Sequence, residues 1–163
     1  MKIGIISDTH NAIEATSKIV SKLIESGAEY LIHAGDIGED VARYLAGLEI
    51  PLIAVYGNTD TSILQEILPQ IHKEPCYFQI EDKSFKLMHH PYFLTPDCDV
   101  IIYGHLHRFE CDFKRSLYIN PGEVCAREKP RNEAALLDTE KMSVVYIWLE
   151  NGQWHNKVFK ESK

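Results

Sequence analysis

Five short polar clusters carry most of the chemistry open to this chain: DTH at 8–10, GD at 35–36, GN at 57–58, HH at 89–90 and GHLH at 104–107. Each follows an apolar run of strand type, so Asp8, His10, Asp36, Asn58, His89, His105 and His107 all leave the carboxyl end of an expected strand. Ligands of open α/β sheets gather at that end, where several turns can aim side chains at one place. Oxygen and imidazole donors together suit borderline divalent metals such as Mn, Fe, Co, Ni or Zn, and argue against a calcium site built on oxygen alone. Asp8 and His10 stand two apart on an extended turn, as do His105 and His107, so each pair can face one ion. Asp36 is placed to bridge two ions, and Gly104 lets the backbone come close.

Taken singly, each cluster has an ordinary explanation. DTHN could cap a helix, GD and GN are common turn formers, and an isolated Asp or His beside a strand end is more often hydrogen-bonded than ligating. That account has to be given five times over, and it has to cover four of the eight histidines. His33, His72 and His155 stand in no such motif and read as structural or surface residues. His90 adjoins His89 and reads as a neighbour of the site or a substrate-facing group.

The elements that must position these residues can be read from hydrophobic periodicity. Residues 3–7, 30–34 and 50–56 read as strands, and 12–25, 41–48 and 62–68 as helices, with Gly27 stopping the first and Pro69 the third. Three strand–turn–helix units in a row imply a parallel or mixed sheet with helices on its face. The second half is strand-like at 76–81, 85–89, 100–103, 109–113, 117–120, 133–138, 143–149 and 154–159. No linker rich in Pro, Gly and Ser divides the halves, so one domain over 1–163, with two packed sheets, is expected.

Composition narrows the partners. The chain is 45% hydrophobic and 25% charged, ordinary globular usage, and its net charge of -7 comes without any basic block that could track a phosphate backbone. Nucleic acid is therefore disfavoured as a partner. The widely spaced Cys76, Cys98, Cys111 and Cys125 form no C-x-x-C and read as reduced thiols of a cytoplasmic protein. Residues 1–7 read as a buried strand, with no export signal and no membrane span; a homo-oligomer is left open.

In order, D-x-H, G-D, G-N-x-D, H-x and G-H-x-H, followed by N-P-G at 120–122, resemble the motifs of the calcineurin-like metallophosphoesterases. Within that family the match is to the small bacterial and archaeal phosphodiesterase branch, to which a retromer subunit of the same fold is related. The resemblance covers residues 1–125 and implies an α/β fold, a four-layer αββα sandwich of two packed mixed sheets flanked by helices. It also implies a metal-dependent phosphodiesterase that hydrolyses a small phosphoester by attack of a hydroxide bridging two divalent metals. Mn comes first among those metals, with Ni, Fe, Co or Zn as alternatives. By position, Asp8, His10, Asp36 and His107 would hold one metal and Asp36, Asn58, His89 and His105 the other, while Asn120, Pro121 and Gly122 pack behind them. The competing class is an interaction module that keeps the fold and performs no hydrolysis.

This chain departs from the pattern in four places. Thr59 stands where many members carry a histidine that serves as leaving-group acid, and His90-Pro91 stands where H-G is usual; His90 is the local candidate for the missing donor. Only 15 residues, 90–104, separate His89 from His105, too few for a helix and a long loop, so one cleft wall is expected to be lowered. Tyr92 and Phe93 are expected to pack into that space in preference to forming a substrate lip. Glu123 follows N-P-G where a small residue is usual, and would repel phosphate unless it turns away or pairs with Arg108 or Arg127.

Overall fold

Alternation along the first strand decides which residues meet which core. The computed structural model describes residues 1–162; Lys163, the last residue of the expected 1–163 domain, lies outside the described residues. In β1 (Lys2–Ile6), Ile3 and Ile5 face one apolar layer and Ile6 the other, as a period of two requires. β2 (Tyr30–His33), β3 (Leu52–Val55) and β4 (Ile71–His72) continue in parallel from β1. Parallel neighbours need crossovers, and α1 (Ile13–Glu25), α2 (Glu39–Ala46) and α3 (Leu64–Ile67) fill them.

In α1, Thr16, Ile19, Val20 and Leu23 recur at helical spacing and are buried against the sheet. Each fully buried aliphatic side chain there contributes about 1.5–3 kcal/mol. The helix stops at Ser26, and Gly27 takes a φ of 100° that a side chain would strain. DTHN does not cap this helix by side chain. Instead the Asn11 carboxamide oxygen accepts the N–H groups of Asp40 (2.7 Å) and Val41 (3.3 Å), capping α2 from outside it.

The second sheet is built from β5 (Cys76–Ile80), β6 (Lys83–Leu87), β7 (Val100–Ile102), β8 (Phe109–Phe113) and β9 (Leu117–Pro121), in the order β5-β6-β7-β9-β8. The chain then returns to the first sheet with β10 (Asn132–Asp138), β11 (Ser143–Glu150) and β12 (Gln153–Lys160), giving the order β12-β11-β10-β1-β2-β3-β4. Both sheets are mixed. Ile3, Ile5, Ile32 and Val55 of the larger sheet pack against Phe85, Leu87, Ile102 and Ile119 of the smaller, as expected of two packed mixed sheets flanked by helices.

The differences from expectation are local. α3 has four residues where seven were expected, because Ser62 and Ile63 form a turn ahead of it and Leu68, before Pro69, leaves helical geometry at φ -127°, ψ 85°. β4 was not anticipated: two residues carry no periodicity. Along 90–99, where no helix forms, the backbone is strapped to the smaller sheet. Buried Lys86 of β6 donates through Nζ to the carbonyls of Phe93 (2.9 Å) and Thr95 (2.7 Å) and pairs with Asp97, while the Tyr118 hydroxyl donates to the Leu94 carbonyl (2.8 Å). Main-chain carbonyls hold the strap, so its side chains are free to turn out. Tyr92 is 73% exposed and Phe93 43%, which corrects the expectation that they fill the space of a missing helix.

Candidate metal centre

Strand ends of both sheets deliver the candidate residues to one place. Asp8 and His10 follow β1, Asp36 follows β2, Asn58 follows β3, His89 and His90 follow β6, and His105 and His107 follow β7. Turning sharply off a strand forces unusual backbone. Asp8 (φ 53°), His10 (42°), Asp36 (58°), His105 (68°) and His107 (53°) all lie in the left-handed region. Asp, Asn and His tolerate it best, yet each such residue still stores about 1–3 kcal/mol. Two close approaches complete the fit. A Cβ on Gly57 would lie 2.1 Å from Asp36 Oδ1, and one on Gly104 would lie 2.0 Å from Ser7 Oγ and 2.9 Å from the Ala34 carbonyl oxygen.

The donor atoms converge as two groups sharing one carboxylate oxygen. In the first, His10 Nε2 is 3.4 Å from Asp36 Oδ2 and 3.7 Å from Asp8 Oδ1, and His107 Nε2 is 3.2 Å from Asp8 Oδ1 and 3.4 Å from His10 Nε2. In the second, His89 Nε2 is 3.4 Å from Asp36 Oδ2, 3.0 Å from Asn58 Oδ1 and 3.3 Å from His105 Nδ1. Bonds of about 2.1 Å at tetrahedral or octahedral angles separate neighbouring ligands by about 3.0–3.4 Å. The observed spacings of 3.0–3.7 Å are close to the edges such a coordination shell would have. A further observation supports the fit: Asp8 Oδ1 is buried and has no hydrogen-bond partner among the described residues. Its sister oxygen accepts from the Ser7 hydroxyl (2.6 Å) and the His105 N–H (3.1 Å), so the orphan is held facing His10 and His107.

Electrostatics follow from burial and from these contacts. Burial pushes the Asp8 carboxyl above its ordinary value. Burial acts the same way on Asp36, but hydrogen bonds from His89 and Thr59 outweigh it and hold that carboxyl well below the usual range. Burial lowers His10, and it lowers His105 with help from neighbouring His89 and His90; His89 is raised because Asp36 overcomes its burial. Beneath the site His33 is driven down to about 3 by burial, in keeping with a structural role. Its Nδ1 accepts the Gly35 N–H (3.1 Å) and its Nε2 lies 3.0 Å from the Thr9 hydroxyl, which assigns the neutral Nε2–H tautomer.

The departures noted in the sequence acquire contacts. The N–H and hydroxyl of Thr59 both donate to Asp36 Oδ1, at 3.0 and 2.9 Å. Asp60 accepts the N–H groups of Ile37, Gly38 and Gly57, tying the GD and GN turns together. Asn120 donates to the Gly104 carbonyl and accepts the Gly122 N–H, so the N-P-G loop braces the G-H-x-H turn. Glu123 is fully buried, and its Oε2 accepts from His107 Nδ1 (2.6 Å); its partner is this imidazole, where Arg108 or Arg127 had been considered.

Sequence reasoning missed two neighbours. Glu74 Oε2 accepts the N–H groups of His89 (2.6 Å) and His90 (2.9 Å), and its Oε1 accepts from His90 Nδ1 (2.7 Å), shaping the H-H-P turn. Cys125 brings its sulfur into the neighbourhood of His10 and His107, with ligand atoms within 4.8 Å of one another, and burial raises its thiol to about 12. Neither residue lies in a recognisable motif. His90 likewise joins His89 and His105 within 4.8 Å, stacks on Tyr92, and borders a cleft of about 640 Å³ that also touches Asn58, Tyr56 and Lys73.

Comparison with known proteins identifies the family and the fold. Residues 1–142 match the family model of the calcineurin-like phosphoesterase superfamily domain. A phosphodiesterase of Methanocaldococcus jannaschii is 35% identical, over 92% of this chain and all of that protein. Among solved structures, an archaeal phosphodiesterase superposes with a TM-score of 0.77 at 29% identity, covering 98% of this chain and 100% of that one. Vps29 from Entamoeba histolytica shares the fold at 18% identity, with a TM-score of 0.76 and coverage of 99% and 100%. Two packed mixed sheets, donors gathered at their strand ends and a family match over most of the sequence lead to one assignment: the chain belongs to the calcineurin-like phosphoesterase superfamily.

Proposed function

We propose that residues 1–163 act as one metallophosphoesterase domain, a metal-dependent phosphodiesterase that hydrolyses a small phosphodiester. The observation that carries this reading is the pair of donor groups meeting at Asp36 Oδ2 with spacings of 3.0–3.7 Å. The phosphodiesterase names of the relatives support the reaction class. Asp8, His10, Asp36 and His107 would hold one divalent cation, and Asp36, Asn58, His89 and His105 the other, with Mn first among the candidates. Such a pair of cations supplies a water of lowered pKa and neutralises charge on the transferring phosphoryl group.

The chain's own residues supply the rest. Asp36 is held in its ionised form by Thr59 and His89, so it enters the reaction as a fixed negative anchor. Asn58, an exposed neutral oxygen donor at the cleft edge, leaves room for substrate beside it. To His90 we assign the leaving-group donor that Thr59 cannot be. Glu74 fixes one ring nitrogen at 2.7 Å, leaving the other nitrogen for the cleft. No helix of the described residues is long and apolar enough to cross a membrane. From its four free cysteines we place the activity in the cytoplasm.

The test is hydrolysis of bis(p-nitrophenyl) phosphate. Turnover with Mn or Ni, abolished by chelation and by Asp36→Ala or His107→Ala, is expected; wild-type rates in both variants would end the assignment. The second reading, a non-hydrolytic interaction module, draws on the exposed Tyr77, Tyr92, Phe93 and Leu94. It gains if metal-loaded protein turns over no member of a broad phosphoester panel.

A further inference from the structure

Glu123 is a departure from the family pattern that the proposed reaction leaves without a task. Its Oε1 is saturated by the N–H groups of Glu128 and Lys129, both at 2.8 Å, and its Oε2 receives His107 Nδ1 at 2.6 Å. The loop around it is tied to the larger sheet through Glu133. That second buried carboxylate accepts the Glu123 N–H (2.9 Å), takes the Tyr146 hydroxyl of β11 and pairs with Lys129 at 3.2 Å. Lys129 in turn donates to the His107 carbonyl. Glu123 therefore cannot swing away, and neither can the peptide that carries His107.

An ionised carboxylate has no proton to give, so the proton between Glu123 and His107 resides on Nδ1. The neutral ring then carries its lone pair on Nε2, the atom lying 3.2 Å from Asp8 Oδ1 and 3.4 Å from His10 Nε2. In that tautomer the nitrogen beside the orphaned Asp8 Oδ1 is an acceptor as well. Two acceptors, Asp8 Oδ1 and His107 Nε2, then face each other at 3.2 Å with no proton between them, a geometry that a cation relieves. In the second group His89 Nδ1 is backed by the carbonyl of Ala34 at 2.8 Å, which fixes the same tautomer without a charge and without Glu123.

We infer that Glu123 is a positioning residue that locks His107 in its Nδ1–H tautomer and so sets the affinity of the Asp8–His10–Asp36–His107 seat selectively. The inference rests on the reading of His107 as a cation ligand. Partners behind a ligating histidine are worth about 10–100-fold in metal affinity. Glu123→Gln, isosteric and still able to accept the two backbone N–H groups, should weaken one of two Mn binding steps by that factor and leave the other unchanged in calorimetric titration. Because Glu123 acts through His107, the double variant with His107→Ala should bind no more weakly than His107→Ala alone. Nitrogen NMR of the cation-free protein reads the tautomer directly: a single Nδ1–H form in the wild type and a shift toward Nε2–H in Glu123→Gln, whose carboxamide NH2 would face Nδ1.

Equal weakening of both steps, additive losses in the double variant, or a tautomer mixture already present in the wild type would each overturn the inference. A wild-type protein that takes up no cation would instead overturn the proposed function. The NMR measurement would still decide whether Glu123 holds the ring.

Discussion

Replacing Thr59 by Val removes one hydroxyl and nothing else of comparable size. Asp36 Oδ1 receives two hydrogen bonds, both from Thr59, while Oδ2 faces His10 and His89. Thr59→Val keeps the N–H donor at 3.0 Å and deletes the hydroxyl donor at 2.9 Å. A hydrogen bond to a charged group contributes about 1.5–3 kcal/mol. Asp36 is buried but Thr59 is exposed, so water replaces part of the loss and about 1–1.5 kcal/mol is expected. For a chain of this size that lowers Tm by about 2–6 °C. The pH dependence gives a second reading. The folded-state pKa of Asp36 lies below its ordinary 3.8, so the stability from these contacts is present above that value and disappears as pH falls through the folded one. The gap between wild type and Thr59→Val should be full near neutrality and close in strong acid. Thr59→Ser, which keeps the hydroxyl, should melt with the wild type. Thermal melts of cation-free protein by circular dichroism decide it: a Thr59→Val curve superposed on wild type, or a gap unchanged in acid, would refute the clamp.

Asp8→Asn retains an oxygen for Ser7 and the His105 N–H but loses the charge that burial penalises. Because the folded pKa of Asp8 is raised, its ionisation opposes folding above that pKa; the cation-free variant should melt higher than wild type at neutral pH. It should also lose the gain that Mn at a hundredfold excess over Kd gives the wild type, about 2.7 kcal/mol per site or about 5–11 °C by thermal melt. His33 is held neutral in the fold, with a pKa of about 3 against 6.5 when unfolded, so only the unfolded chain takes up its proton between those values. Stability should therefore fall by about 1.4 kcal/mol per pH unit as pH drops through that window, a slope that denaturant melts of His33→Gln should lack. Gly104→Ala drives a methyl against Ser7 and the Ala34 carbonyl; a loss of about 1–3 kcal/mol and of Mn binding by calorimetry is expected.

The parallel half was legible because each unit announces itself: residues 3–7, an apolar run, then DTH, then a helical period. β1, α1 and β2 fall within a residue or two of expectation. The strand-rich half was legible as strands and two packed sheets were expected, but not which strand joins which sheet, since nothing local records that β10 returns to pair antiparallel with β1. Tyr92 and Phe93 failed for a related reason. An aromatic pair in a short connection looks like packing, and the device that turns it outward is a lysine on another strand, Lys86, holding main-chain carbonyls.

The same asymmetry runs through the site. Donors to a shared centre must leave strand ends by short turns, so they arrive in tight sequence clusters such as Asp8 with His10 and His105 with His107, and the clusters can be read. A carboxylate that supports an imidazole from behind must meet only one distance, which any loop of suitable reach satisfies. Glu74 and Glu123 each lie 16 residues from the histidine they hold, one before it and one after, with no spacing rule between them. One departure was legible as a departure: a charged residue after N-P-G had to be neutralised, and the only question was by what. The answer is an imidazole 2.6 Å away that faces the orphaned oxygen of Asp8 with its other nitrogen, so a residue that threatened to repel phosphate is turned from the cleft and spent on the donor group behind it.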